Sequence, residues 1–139
     1  MKILFVCSGN SGRSPMAQFI MRKMISDAGL SEKITVSSAA SRETNGELLH
    51  QGIAAKLRME NIPFDVHTAR TITKNDYDSS DFVVCVDEKS LNEVKNLIGD
   101  DKKLTKLLET DIPWDKYGFN TTFDDTKRGC EALLKKIGG

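Results

Sequence analysis

Residues 2–15 read Lys2-Ile3-Leu4-Phe5-Val6-Cys7-Ser8-Gly9-Asn10-Ser11-Gly12-Arg13-Ser14-Pro15. Ile3 to Val6 is an unbroken apolar run bounded by a glycine-bearing loop, the pattern of a strand buried on both faces of a parallel sheet. Ser14-Pro15 then offers a hydroxyl at a helix N-cap and a proline at a first helical position. Met16, Ile20, Met21, Met24 and Ile25 follow at helical spacing up to Gly29. Strand, loop and helix in this order open a βαβ unit.

Outward from this stretch, Ile34-Thr35-Val36-Ser37-Ser38 predicts a second strand, and residues 47–59 a second helix with Leu48, Ile53, Ala54 and Leu57 inward. Phe82-Val83-Val84-Cys85-Val86 predicts another buried strand. A charged helix from Glu88 to about Ile98 follows it, and the charges around Asp87 to Lys95 read as a solvated face. The last helix carries Phe123, Cys130, Leu133, Leu134 and Ile137 on one stripe and is expected to stop at Gly138-Gly139. Alternating strands and helices imply right-handed crossovers with helices on both faces of a parallel sheet, an α/β three-layer sandwich. The 139 residues suit one domain, 1–139. Residues 41–47 and 110–122 are polar and turn-rich, and are the expected functional loops.

Composition narrows the partners. Twenty Lys and Arg balance twenty Asp and Glu, so no global field draws nucleic acid or an anionic membrane. Three cysteines without paired spacing point to a reducing compartment. No run approaches the roughly 20 apolar residues of a membrane span, and Met1-Lys2 leads straight into a strand with no signal-type apolar region. Cytoplasm is the expected location. His50 and His67 are isolated and cannot build a metal site alone, so neither metal nor cofactor is expected.

The chemistry is expected at the end of the first strand, where open α/β sheets collect ligands. Gly9 and Gly12 let backbone N–H groups converge, and the helix terminus adds free donors and positive dipole charge. These make an anion cradle. The loop lacks the Gly-Lys-Ser/Thr ending of a nucleotide P-loop and the dinucleotide fingerprint. It carries Cys7 at its entrance and Arg13 six residues on. N–H donors, a guanidinium and a helix N-terminus favour a nucleophilic thiolate at Cys7. Arg13 can grip two phosphate oxygens and stabilise transition-state charge. Cys85 and Cys130 lie in a strand and on an inner helix stripe and read as packing residues.

The loop and much of the chain resemble the low-molecular-weight protein tyrosine phosphatase family. The resemblance rests on Cys-x5-Arg-Ser-Pro and on Ser38-Ala39-Ala40, His67-Thr68-Ala69-Arg70, Ile72 to Tyr77, Val86-Asp87-Glu88 and Gly129-Cys130-Glu131. It implies a phosphatase-I-like domain with a central four-stranded parallel sheet. It also implies that Cys7 forms a phosphocysteine intermediate, and that Ser8, Gly9, Asn10, Ser11, Gly12, Arg13 and Ser14 bind the phosphate. Ser14 would hydrogen-bond the thiolate, Asn10 would hold the loop's strained shape, and Ser38 and His67 would support it from behind. The implied partner is a phosphorylated protein or peptide, with no role for nucleic acid or membrane, and the expected assembly is a monomer or weak dimer.

Three positions depart from the family pattern. The family's general acid sits in an Asp-Pro-aromatic motif, whereas this chain reads Asp111-Ile112-Pro113-Trp114-Asp115. Pro113-Trp114 match the proline and aromatic, so Ile112 falls where the acid belongs. Asp111 is the expected acid and Asp115 the second candidate; with neither, the chain is a slow enzyme or a non-catalytic phosphate-binding module. Gly12 stands where the family commonly has a second cysteine that traps the nucleophile in a disulfide, so Cys7 is expected to advance readily along the oxidation ladder. Ser11 replaces a bulkier aliphatic residue of the tyrosine phosphatases and a threonine of the related protein-arginine phosphatases. That leaves phosphotyrosine and phosphoarginine both open, while Trp114 and Tyr117, expected at the mouth, favour an aromatic ring.

Overall fold

The computed structural model describes residues 1–138. Its elements are β1 (Lys2–Cys7), α1 (Arg13–Asp27), β2 (Thr35–Ala40), α2 (Gln51–Met59), α3 (Lys74–Ser79), β3 (Phe82–Cys85), α4 (Glu88–Leu97), β4 (Leu104–Lys106) and α5 (Asn120–Gly138). The strands form one sheet in the order β2-β1-β3-β4 with every pairing parallel. β1 is therefore central, and its apolar run is buried on both faces as its sequence requires.

Successive β1 side chains point to opposite faces. Ile3, Phe5 and Cys7 join a core with Met16 and Ile20 of α1, Ile53 and Leu57 of α2 and Phe123 of α5. Leu4 and Val6 join a second core with Tyr77 of α3 and Leu91 and Val94 of α4. Two cores on one sheet make the three layers, each fully buried large side chain contributing about 1.5–3 kcal/mol. From β1 the chain crosses to β2 on one side, while β3 pairs on the other, so the C-terminal end of β1 lies at the point where strand order reverses. In open α/β sheets that crevice is the binding site.

Several expectations need correction. α2 begins at Gln51 rather than 47: Leu48 forms an antiparallel bridge with Thr68 and is 68 % exposed, not inward. Pairing with the neighbouring loop outbid helix propensity there. Ser14 is not the cap of α1, because the helix starts at Arg13 with Gly12 at its N-cap and no capping side chain. The charged start of α4 is solvated only in part: Glu88 and Lys89 are exposed as expected, whereas Asp87 and Ser90 are buried. α3 and the three-residue β4 gave no periodic signal; α3 is held by a capping box between Thr73 and Asp76. Gly139 of the expected stop lies outside the described residues. Among the described residues no helix is long and apolar enough to cross a membrane.

Candidate active site

The loop from Cys7 to Ser14 closes around the Cys7 sulfur. The Asn10 amide donates to Cys7 Sγ at 3.1 Å, and Ser14 Oγ lies 2.9 Å from the same sulfur. Asn10 Nδ2 donates to Ser14 Oγ at 2.9 Å. That bond occupies one hydroxyl lone pair and leaves the Ser14 proton free to point at sulfur. Asn10 is in the left-handed region at φ 55°, a conformation asparagine tolerates better than most residues. It is fully buried and pinned on three sides. Its Oδ1 accepts from the Arg70 amide at 3.1 Å, which fixes the amide's orientation, and its carbonyl meets His67 Nε2 at 2.8 Å. His67 thus stands directly behind the loop. Ser38 stands one step further back, its hydroxyl donating to Gln18 of α1 at 2.5 Å.

Arg13 is anchored by the late loop and by Asp87. Its Nη1 donates to the Ile112 carbonyl at 2.8 Å and pairs with Asp87 Oδ2 at 3.0 Å. Burial works against ionised Asp87, but hydrogen bonds from the Ser90 hydroxyl and amide, with the Arg13 charge, outweigh it and hold its carboxyl below the usual range. Neither Asp87 nor the Ile112 carbonyl was singled out from sequence. For Asp87 the signals were its place in the family-like segment Val86-Asp87-Glu88 and an aspartate following an apolar strand ahead of a helix.

The late loop is laid out differently from a simple Asp-Pro-aromatic turn. Ile112 is fully buried in the core shared with Cys7, and its amide donates to the Val86 carbonyl at 2.9 Å. An aliphatic side chain at this position is inside the fold, not over the cradle. Asp111, just before it, pairs with Lys106 Nζ at 2.9 Å and accepts from the Glu88 amide at 2.9 Å. Lys106, then the Glu88 amide and more weakly Arg13, hold the Asp111 carboxyl below its ordinary value. Asp115 instead accepts from the amides of Tyr117 and Thr121 at 3.2 Å each, organising the start of α5.

Trp114 lies against the Cys7–Ser14 loop at Gly12. A Cβ built on Gly12 would stand 2.5 Å from Trp114 Cζ3. The indole makes edge contacts with His50 and Phe119 at centroid distances of 5.1 and 4.8 Å. Tyr117 is 82 % exposed with Lys116 over its ring. On the other side of the loop a polar cleft of about 320 Å³ is lined by Ser8, Gly9, Ser11, Arg42, Thr44 and Glu47 among others. Cys85 and Cys130 are fully buried. Burial pushes the Cys85 thiol up to about 12 and raises that of Cys130 as well.

The fold and this loop define an α/β protein with a buried thiol held by Asn10 and Ser14 at the switch point of a parallel sheet. A family model described as low molecular weight phosphotyrosine protein phosphatase matches residues 2–138, and the chain belongs to that family. It is 33 % identical over 147 residues to the low molecular weight protein-tyrosine-phosphatase YfkJ of Bacillus subtilis, covering 97 % of this chain and 94 % of the relative. It is likewise 33 % identical over 150 residues to the human low molecular weight phosphotyrosine protein phosphatase, covering 96 % and 94 %. The crystal structure of YfkJ matches the fold with a TM-score of 0.91 at 32 % identity, over 99 % of this chain and 94 % of that one.

Proposed function

We propose that the chain is a cysteine-dependent protein-tyrosine-phosphatase that hydrolyses phosphotyrosine in proteins through a phosphocysteine intermediate. The observation that carries the reading is the Cys7 sulfur held by the Asn10 amide at 3.1 Å and Ser14 Oγ at 2.9 Å, at the base of the loop that Arg13 closes. Cys7 Sγ attacks phosphorus in line, and the bond to the phenolic oxygen breaks. Loop N–H groups and Arg13 hold the equatorial oxygens as charge redistributes. Water then attacks the phosphocysteine, releasing orthophosphate and the thiolate.

Asp111 is the proton-transfer group of this reading, and its partners favour one half of the cycle. Lys106 and the Glu88 amide keep its carboxylate ionised, which suits a base activating water and disfavours an acid protonating the leaving group. The enzyme therefore prefers aryl phosphates, whose phenolates leave readily. Trp114, beside the loop at Gly12, offers an aromatic wall for a phosphotyrosine ring.

The test is steady-state hydrolysis of p-nitrophenyl phosphate, a phosphotyrosine peptide and a phosphoarginine peptide. Expected are turnover of the first two, loss of it in Cys7→Ser, and a lower kcat/KM on phosphoarginine. No turnover of either aryl phosphate would leave a phosphate-binding module. Faster release from phosphoarginine would reassign the substrate.

A further inference from the structure

The two halves of the cradle are restrained very differently. From Asn10 to Ser14 the loop is pinned by His67, Arg70 and its own internal hydrogen bonds. At the Ser8-Gly9 end, Gly9 is exposed with open space around its Cα. The side-chain restraint there is the Ser8 hydroxyl, which donates to Glu93 Oε1 at 2.7 Å.

Glu93 gathers more than Ser8. Ser41 Oγ donates to the same oxygen at 2.8 Å, and Arg42 Nε meets Oε2 at 3.0 Å. The backbone follows the same joint, since the Ser41 amide donates to the Cys7 carbonyl at 2.9 Å and the Arg42 amide to the Ser8 carbonyl at 3.2 Å. Asp87, the N-cap of α4, and Ser90 and Glu93 within the helix step three residues apart. The helix thereby holds the loop at both ends, Asp87 at Arg13 and Glu93 at Ser8. The Glu93 carboxylate also neutralises Arg42, a wall residue of the polar cleft.

We infer that Glu93 is a positioning residue of the phosphate cradle, acting through Ser8 to hold the Ser8-Gly9 amides, and through Arg42 to hold the mouth, in the geometry that binds the anion. Its effect on turnover rests on the phosphatase reading; its effect on anion binding does not. Misplacing donors by a fraction of an ångström weakens charge stabilisation without removing any group that touches phosphate.

The experiment is a double-mutant cycle of Glu93→Ala and Ser8→Ala, with Glu93→Gln as the conservative variant. It reads kcat and KM on p-nitrophenyl phosphate and, by calorimetry, the Kd of orthophosphate. Each single alanine variant is expected to lower kcat/KM and weaken orthophosphate by about tenfold, and the double variant to be no more than about twofold worse than Glu93→Ala. Glu93→Gln keeps an oxygen for both hydroxyls and is expected to restore most of the loss. Glu93→Ala within twofold of the parent in both measurements overturns the inference, as does a double variant equal to the product of the singles. Should Glu93→Ala fail to fold, Ser8→Ala within twofold of the parent overturns it. A parent protein that turns over no aryl phosphate sinks the phosphatase reading, and the inference is then judged by orthophosphate affinity alone.

Discussion

Gly12 and Trp114 are fitted to each other: a single methyl at Gly12 would come within 2.5 Å of the indole Cζ3 and 2.9 Å of Cη2. Gly12 has φ −131°, so space rather than a left-handed backbone demands glycine. His50 and Phe119 flank the indole, which is 44 % exposed, so it can retreat only by giving up those edge contacts toward solvent. Gly12→Ala or Gly12→Cys should therefore destabilise the fold by about 1–3 kcal/mol, the usual cost of overpacking. Removing the indole in a Gly12→Ala/Trp114→Ala variant should recover part of that. Thermal denaturation of the four proteins in the cycle measures the coupling, and additive shifts in Tm would show the two positions to be independent.

The bond between Ser14 and the Cys7 sulfur makes a second prediction. Asn10 occupies one lone pair of the Ser14 hydroxyl and leaves its proton free to donate to the attacking sulfur, and Ser14→Ala removes that donor with no replacement in a buried pocket. Such a bond is worth about 1.5–3 kcal/mol. Alkylation of Cys7 by iodoacetamide at neutral pH should slow at least about tenfold and kcat should fall in step. Ser14→Thr, which keeps the hydroxyl, should lose less. Unchanged alkylation in Ser14→Ala would mean that the loop amides alone hold the thiolate.

These two sites differ in how much of them the sequence revealed. Cys7, Asn10, Arg13 and Ser14 share eight consecutive residues, and a buried strand running into a proline-marked helix is a local signal that periodicity reads well. Their partners lie far along the chain, Asp87, Glu93 and Ile112 being 74 to 99 residues away from the groups they hold. Charges along one helix face read the same whether they meet water or a loop, so Asp87 and Glu93, six residues apart, look in sequence no different from Glu88 and Lys89, which do face water. β4 is only Leu104-Thr105-Lys106 and exists through its pairing with β3. Ile112 was legible as a departure from the family acid, but not as a residue whose side chain is buried while its carbonyl clamps Arg13.

Lys106 sets the protonation of Asp111, which gives a prediction in pH. Because the carboxyl is held below its ordinary value, its protonated form is lost as pH rises through that lowered value. Turnover of phosphates with poor leaving groups should accordingly climb as pH falls toward the acid side, and Asp111→Asn should flatten that climb. Lys106→Met removes the principal stabiliser of the anion, so the alkaline limb should move to higher pH and the poorest leaving groups should gain most. pH profiles of kcat for a series of substituted phenyl phosphates test this. A limb that stays in place in Lys106→Met would assign the proton transfer to another group.

Oxidation separates Cys7 from the other thiols. Cys85 belongs to the core on the opposite face of the sheet from the one Cys7 joins, and Cys130 is wholly buried in α5. Burial raises both thiols and keeps them poor nucleophiles toward a Cys7 sulfenic acid. Peroxide should inactivate the enzyme with progressive loss of rescue by dithiothreitol, and mass spectrometry should place the sulfinic and sulfonic products on Cys7. Full rescue after prolonged exposure would reveal a trapping disulfide.

The ion pair between Asp87 and Arg13 ties the stability of the fold to the same site. Asp87 is buried, its partners hold its carboxyl below the ordinary value, and the folded chain binds this proton less tightly than the unfolded one. The sign follows from linkage: Asp87 stabilises the fold at pH above its unfolded value, near about 4, and the contribution disappears as pH falls through the lower folded value. Asp87→Asn keeps an N-cap acceptor for Ser90 but strands the Arg13 charge, at a cost of about 2 kcal/mol. Urea denaturation from pH 7 down to pH 2 should show a constant gap between parent and variant above about pH 5, closing below pH 4. Orthophosphate affinity should fall in the variant over the same upper range, because Arg13, left with the Ile112 carbonyl as its remaining anchor, must be reordered in part by each anion it binds. A gap that persists unchanged to pH 2 would place the cost in the packing around position 87 rather than in its charge.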